Sequence, residues 1–189
     1  MNTPAHIVLN LLCLGRTDPG TAALPVICGA ILPDLPMFVF YGILKLRGVP
    51  ERVIWRQSYY EPAWQNFIDL FNSVPLILLG LGIAAWLGSR SGVLLAVSML
   101  LHIAGDLPLH HDDGHRHFFP LSNWRFESPV SYWDPNHYGH IVSVIEVLAV
   151  VAACVVLLTN YQSLAARLAV GAIAALYTAY FAYAIAVWN

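Results

Sequence analysis

Charge is what this chain has least of. Asp, Glu, Lys and Arg make up only 11% of its 189 residues, while apolar side chains make up 58%, and the mean hydropathy is +0.64. Soluble domains carry about 25% charged residues, so a chain this poor in charge has the composition of a membrane protein. The formal net charge of -2 and the lack of any basic stripe argue against nucleic acid as a partner. Cysteine is scarce as well. Cys13, Cys28 and Cys154 are scattered and odd in number, with no C-x-x-C pair, which speaks against a disulfide framework or a thiolate metal site and leaves three small core residues. The apolar N-terminal stretch MNTPAHIVLNLLCLGRTD has no basic residue before it and no small residue ahead of Cys13, so it is expected to be retained rather than cleaved. Internal repeats and low-complexity linkers are absent too, and the length suits one domain.

Against this background one stretch stands apart: Leu101 to His117, LHIAGDLPLHHDDGHRH. Seven of the eight histidines fall between His102 and His140. His102, Asp106 and His110 are spaced four apart, and each step of four advances about 40° around a helix, so the three would form one stripe. Imidazole and carboxylate one turn apart on one face is how a helix presents ligands to a metal ion. Pro108 is expected to kink this helix near its end and open it into His110-His111-Asp112-Asp113. A solvated polar loop would account for His115 and His117. It does not account for His102 and Asp106, which follow the uncharged run from Gly92 to Leu101. Ionisable groups at that depth are costly unless they share a partner or face a functional interior.

Taken in order, the chain opens with Thr3 as N-cap and Pro4 as first residue of a helix to about Leu14, carrying His6 and ended by Gly15 and the turn Asp18-Pro19-Gly20. Ala22 to Leu44 is long enough to cross a bilayer. Asp34 lies within it between Pro33 and Pro36, a break that a membrane tolerates only where it lines a cavity or is buried in protein. Asp34 is therefore either a functional carboxylate or a solvated one at a helix-to-loop junction. In the charged connection Lys45 to Asn72, the residues Trp64, Phe67, Ile68 and Phe71 recur at helical spacing beside Asn66, Asp69 and Asn72. They predict an interfacial amphipathic helix running on into a span over Val74 to Leu87. A tight turn over Gly88 to Gly92 leads to a third span, Val93 to about Leu109. Residues 110–139 are aromatic and polar without a clear period, and are expected to form an ordered lid over the mouth of the bundle. Asp134-Pro135 predict the start of a fourth span, with His137 and His140 in its opening turn and Glu146 deeper, closing at Leu158. Ala165 to Val187 is a fifth, in which Tyr177, Tyr180 and Tyr183 read as packing. The expected fold is an all-α integral membrane bundle of about five spans in a single domain. Six Lys and Arg accompany the His-rich loop, against Arg16, Arg90 and Arg167 opposite, which favours a cytoplasmic loop.

His6, the GAILPD motif with Asp34, LLHIAGD with His102 and Asp106, and the following HFFPLS together resemble the inner-membrane metal-dependent hydrolases, grouped with the zinc-dependent phospholipase C-like superfamily of helical enzymes. The resemblance covers residues 3–122. It implies a bacterial inner-membrane location, His6, Asp34, His102 and Asp106 as metal ligands, and HFFPLS packed beside the site. Many relatives also carry an HRG-x-THS element, and the corresponding zone here, WRQSYYEPAWQNFIDLFNSVP, has Asn72-Ser73 in place of a His-Ser pair. His110, His111 and Asp113 can make up that deficit. Nitrogen and carboxylate ligands suit zinc, manganese or iron. A metal-activated water would supply the nucleophile, with Asp113, His111 or Glu146 taking the proton. The expected substrate is a lipid or other amphiphilic phosphoester or ester. Two other classes remain at this stage: a small transporter or metal-permeation protein, and a non-catalytic membrane protein with a degenerate metal site.

Overall fold

Proline, glycine and small polar caps set the helix boundaries, and the apolar runs between them fill the helices. The computed structural model describes residues 1–15 and 19–188, and every regular element among them is helical. Helix α1, Thr3–Leu14, begins after Asn2 in extended conformation. Asn2, not Thr3, is the N-cap position, and the Thr3 hydroxyl is used elsewhere. Of the turn expected after Gly15, Asp18 lies outside the described residues, as does Arg16. Helix α2, Pro19–Ile31, stops short of Pro33, and α3, Leu35–Leu46, restarts after Asp34 with Pro36 in its first turn. The two meet at 54°, because Pro33 and Pro36 lack the N–H groups that would continue one ladder. The freed carbonyl of Pro33 accepts from Asn72 Nδ2 at 3.0 Å. Short helix α4, Glu51–Arg56, and α5, Pro62–Phe71, follow. Ser73 caps α6, Val74–Trp86, through Leu76 N, and Ser89 caps α7, Arg90–Asp106, through Gly92 N. The turn between α6 and α7 uses Gly88 at a positive φ of 64° and is shorter than expected, since Arg90 to Gly92 already belong to α7. After the long 110–139 segment come α8, Gly139–Asn160, and α9, Leu164–Trp188.

Four stretches are long and apolar enough to cross a membrane: Pro62–Trp86, Arg90–Leu109, Gly139–Asn160 and Leu164–Tyr183. The bent α2–α3 pair makes a fifth if it counts as one span. The architecture is an all-α bundle. Helices α2 and α7 run parallel, with Val26 O accepting from Ser98 and Ala30 O from His102. They approach so closely that a Cβ on Gly29 would lie 2.3 Å from the Leu95 carbonyl oxygen. Helix α1 runs antiparallel to α7, since Asn10 Nδ2 donates to Ser98 O and Oγ while His6 meets Asp106. The main core lies among α1, α2, α8 and α9, around Val8, Val26, Val150 and Leu157. A second, around Phe40, Ile54 and Ile68, joins α3, α4 and α5, and a third joins α6 to α7 through Ile77, Ala96 and Ile103. The start of α1, the α2–α3 break, the end of α7 and the start of α8 all gather at one end of the bundle.

Residues 110–139 lie across that end and are tied down from several sides. Val74 N donates to His117 O at 2.8 Å, and Tyr132 N to Leu109 O at 2.9 Å. The Ser73 hydroxyl bonds the Phe119 carbonyl. Arg116 Nε reaches the buried Asp69 carboxylate at 2.5 Å, with Asn66 and Asn123 accepting from its other nitrogens. Arg125 bridges Gln65 and the Gly114 carbonyl. Asp134 caps a short 3-10 turn, Pro135–His137, and Tyr138 then takes a left-handed conformation at φ 65° before α8 begins at Gly139. His137 therefore precedes the fourth span instead of lying in its first turn.

Candidate metal centre

Asp106, the last residue of α7, is the hub of the gathered end. Its Oδ1 lies 2.9 Å from His6 Nε2 on α1, and its Oδ2 lies 3.0 Å from His102 Nε2, one turn earlier on α7. The α-amino group of Met1 also meets Asp106 Oδ1. Asp34, at the α2–α3 break, brings Oδ1 to 3.5 Å from the same His102 Nε2, while its Oδ2 accepts from the Thr3 hydroxyl at 2.5 Å. The His6 and His102 rings stack with centroids 3.6 Å apart. His6, Asp34, His102 and Asp106 thus converge from three parts of the sequence. His6, His102 and Asp106 are buried, and each offers a ligand atom within 4.8 Å of the others. A zinc-type ion sits about 2 Å from such atoms, so one ion can be shared among the three.

The protonation of His102 decides what this arrangement can do. Its Nδ1 donates to the Ala30 carbonyl at 2.8 Å, because a carbonyl only accepts. In the neutral ring Nε2 then carries a lone pair, and that lone pair faces two carboxylates. Nε2 lies close to both but has no aligned hydrogen-bond partner, and His6 Nδ1 is likewise buried without one. Buried polar atoms left in this state are costly. A cation between His102 and the two carboxylates, whether a metal ion or a proton on the ring, satisfies His102 Nε2. An Nδ1–H held by a backbone carbonyl is also how ligating histidines are commonly oriented. The cluster can therefore hold a metal ion.

His110 reaches the hub by a different route from the one expected. The stripe His102-Asp106-His110 assumes continuous helix, but α7 ends at Asp106 and a 3-10 turn covers Leu107–Leu109, since Pro108 cannot donate to the α ladder. His110 still lies 3.5 Å from Asp106 Oδ1 through Nε2, and its Nδ1 lies 3.1 Å from Asp113 Oδ1. Burial by itself would lower the pKa of His110, but the Asp106 and Asp113 carboxylates outweigh it and raise it to about 9. Asp113 is desolvated as well, yet His110 and the Trp133 indole N–H hold its pKa below the usual value. Trp133 donates to Asp113 Oδ2 at 2.9 Å, and the Tyr132 ring lies 5.0 Å from His110.

His111 and Glu146 do not join this group. His111 Nδ1 donates to the Ser128 carbonyl at 2.6 Å, and its ring stacks on His137 at 3.7 Å. Glu146 is buried on α8 and accepts from Asn2 Nδ2 at 2.7 Å and from the Tyr177 hydroxyl at 3.0 Å. Tyr177 thus does more than pack. Sequence reasoning also read Thr3 only as a helix cap and left Asp69 without a role. For Asp69 a signal existed, because Asn66, Asp69 and Asn72 recur every three residues beside the apolar stripe Trp64, Phe67, Ile68 and Phe71, and all three serve the end cover or the break. For Thr3 no signal existed, since only the fold brings it to Asp34. No protein-family model, curated protein or solved structure matches this chain.

Proposed function

We propose that this chain is a membrane-embedded, metal-dependent hydrolase acting on a lipid or other amphiphilic phosphoester or ester, of the kind its His6, Asp34, His102 and Asp106 motifs resemble. The observation that carries this reading is the buried His6–His102–Asp106 cluster, with its unpartnered imidazole nitrogens, at one end of the bundle. Imidazole and carboxylate donors without thiolate suit zinc first, manganese or iron second. An ion bound there would supply Lewis acidity and make a water molecule acidic enough to ionise near neutral pH.

The rest falls to the chain's own side chains. His102 is aimed by Ala30 O and Asp34 by Thr3, so the donors are positioned before anything binds. His110 stands between Asp106 and Asp113, whose carboxylates keep it charged, so it can first give its Nδ1 proton to Asp113 Oδ1 and then take up at Nε2 a proton released at the cluster. Tyr132 and the 110–139 segment limit water at this mouth. Glu146 and His111 are engaged elsewhere and take no part in this path. The test is metal content and hydrolysis of a panel of phosphoesters and esters, measured together on detergent-purified protein. His102→Ala is expected to lose metal and activity together, whereas Asp113→Asn keeps the metal and slows turnover by about 10²–10⁴, the usual effect of losing a proton-transfer group. A wild-type protein that binds no divalent metal would sink the reading.

A further inference from the structure

A groove of about 350 Å³ runs between α6 and α7, floored by Gly80, Ala84, Gly92 and Ala96 and flanked by Ile77 and Met99. Leu70, Phe71, Leu76 and Leu95 complete its lining, so no side chain in it bears a charge or a hydrogen-bonding N or O. Both helices belong to stretches long and apolar enough to cross a membrane, so the groove lies at hydrocarbon depth. A polar or peptide ligand would leave unsatisfied groups there. Leu70 and Leu76 are exposed on its rim, which leaves it open sideways, where lipid surrounds the bundle.

The two ends of the groove differ. At the far end α6 and α7 close together, for a Cβ on Gly92 would lie 2.8 Å from the Ala84 Cβ. The near end leads to the candidate metal centre along two chains of contact. On α7, Met99 precedes His102 by one turn, about 4.5 Å of rise. On the other wall, Phe71 is followed by Asn72, which donates to Pro33 O at 3.0 Å. Asp34 comes next, and its carboxylate is 3.5 Å from His102 Nε2. A slot that is narrow, all-apolar, pinched at one end and, at the other, bounded by Met99 one helical turn from His102 matches an amphiphile with one flexible chain. A second copy packed over the small residues Gly80, Ala84, Gly92 and Ala96 is the competing occupant.

We propose that this groove is an acyl-chain site, holding one hydrocarbon chain of a membrane lipid whose headgroup reaches the His6–Asp34–His102–Asp106 cluster. The inference rests on the hydrolase reading for what happens to that headgroup, but chain binding itself needs no turnover. Gly80 is the place to test it, because a Cβ there meets nothing within 4 Å, and Gly80→Phe fills the slot without displacing backbone.

The full chain is reconstituted in vesicles of phosphatidylethanolamine and phosphatidylglycerol. They are doped with a phosphatidylglycerol carrying a photoreactive diazirine near the end of one acyl chain, and adducts are mapped by peptide mass spectrometry. Adducts are expected to concentrate on Ala84, Leu95, Ala96 and Met99. Gly80→Phe should abolish them while leaving intact those on lipid-exposed Leu168 and Leu176 of α9, and leaving metal content unchanged. Adducts spread evenly over all exposed apolar residues, or a groove pattern indifferent to Gly80→Phe, would overturn the proposal. So would a wild-type dimer that Gly80→Phe makes monomeric without any groove adduct, since the occupant would then be a second copy. The same map is recorded after metal removal by chelation. Groove adducts with no hydrolysis under any metal reject the hydrolase reading alone, and hydrolysis without groove adducts rejects the acyl-chain site alone.

Discussion

Glu146 and Asp106 are both buried carboxylates in helices, and their partners set them apart. Around Asp106 gather two imidazoles and the Met1 α-amino group. The donors on Glu146 are neutral: the Asn2 backbone and side-chain amides and the Tyr177 hydroxyl. Glu146 thereby fixes the residue just before α1, and α1 carries Thr3 to Asp34 and His6 to Asp106. It is a positioning residue. Glu146→Ala leaves donors buried without an acceptor, so a loss of about 1–3 kcal/mol is expected, seen as a lower Tm in detergent together with weaker metal retention. Glu146→Gln keeps one acceptor oxygen and should restore most of both. A Gln variant with full stability and full metal but no turnover would instead give Glu146 the proton-handling role. At this scale the sequence was legible wherever chemistry repeated at helical spacing. His102 and Asp106 stood out because two ionisable groups one turn apart followed an uncharged run. The links Asn2–Glu146 and Thr3–Asp34 were not legible, because neither pair shares an element and their meeting depends on tertiary packing alone.

Among the elements, the contact that places the site is the parallel pairing of α2 with α7. Ala30 can offer its carbonyl to His102 only because Gly29 lets the two backbones nearly touch. Gly29→Ala would set a methyl group 2.3 Å from the Leu95 carbonyl oxygen, and backbone cannot swing aside as a side chain can. The helices must separate, at a cost of about 1–3 kcal/mol by analogy with other overpacked cores, and Ala30 O then withdraws from His102 Nδ1. The expected result is a lower Tm and a metal affinity reduced by about 10–100-fold, as when an outer partner of a histidine ligand is lost. Gly80→Ala, on a helix face where nothing lies within 4 Å, is the control and should change neither. Unchanged metal affinity in Gly29→Ala would separate the helix contact from the site. Helix ends were less legible than helix existence. Pro108 marked the end of α7 correctly, but the 3-10 turn that brings His110 back to Asp106 follows from how the chain leaves the helix.

For the whole molecule, long apolar stretches and the double-proline break were enough to anticipate an all-α membrane bundle. How the 110–139 segment lies across its end was not, because that segment has no period and is held by scattered long-range contacts. His117 is one of those anchors. Its carbonyl accepts from Val74 N, and its Nδ1 donates to Asn72 O at 3.1 Å, joining the cover to the α5–α6 junction. Burial lowers its pKa below 6.5, the hydrogen bond to Asn72 opposing only in part. A histidine whose folded pKa is depressed contributes stability that is present above its unfolded pKa and lost as pH falls through the folded value. Protection of residues 110–139 against hydrogen exchange in metal-free protein should therefore weaken on going from about pH 7 to 5, the range in which a histidine near its ordinary value titrates. Two other groups of the cover stay fixed across that range: His110, raised to about 9, remains charged, and Asp113, held below 3.8, remains ionised. His117→Asn keeps a donor for the Asn72 carbonyl but cannot take up a proton there, so its protection should be flat over the same range. Equal weakening in wild type and His117→Asn would assign the acid response to another histidine of the loop.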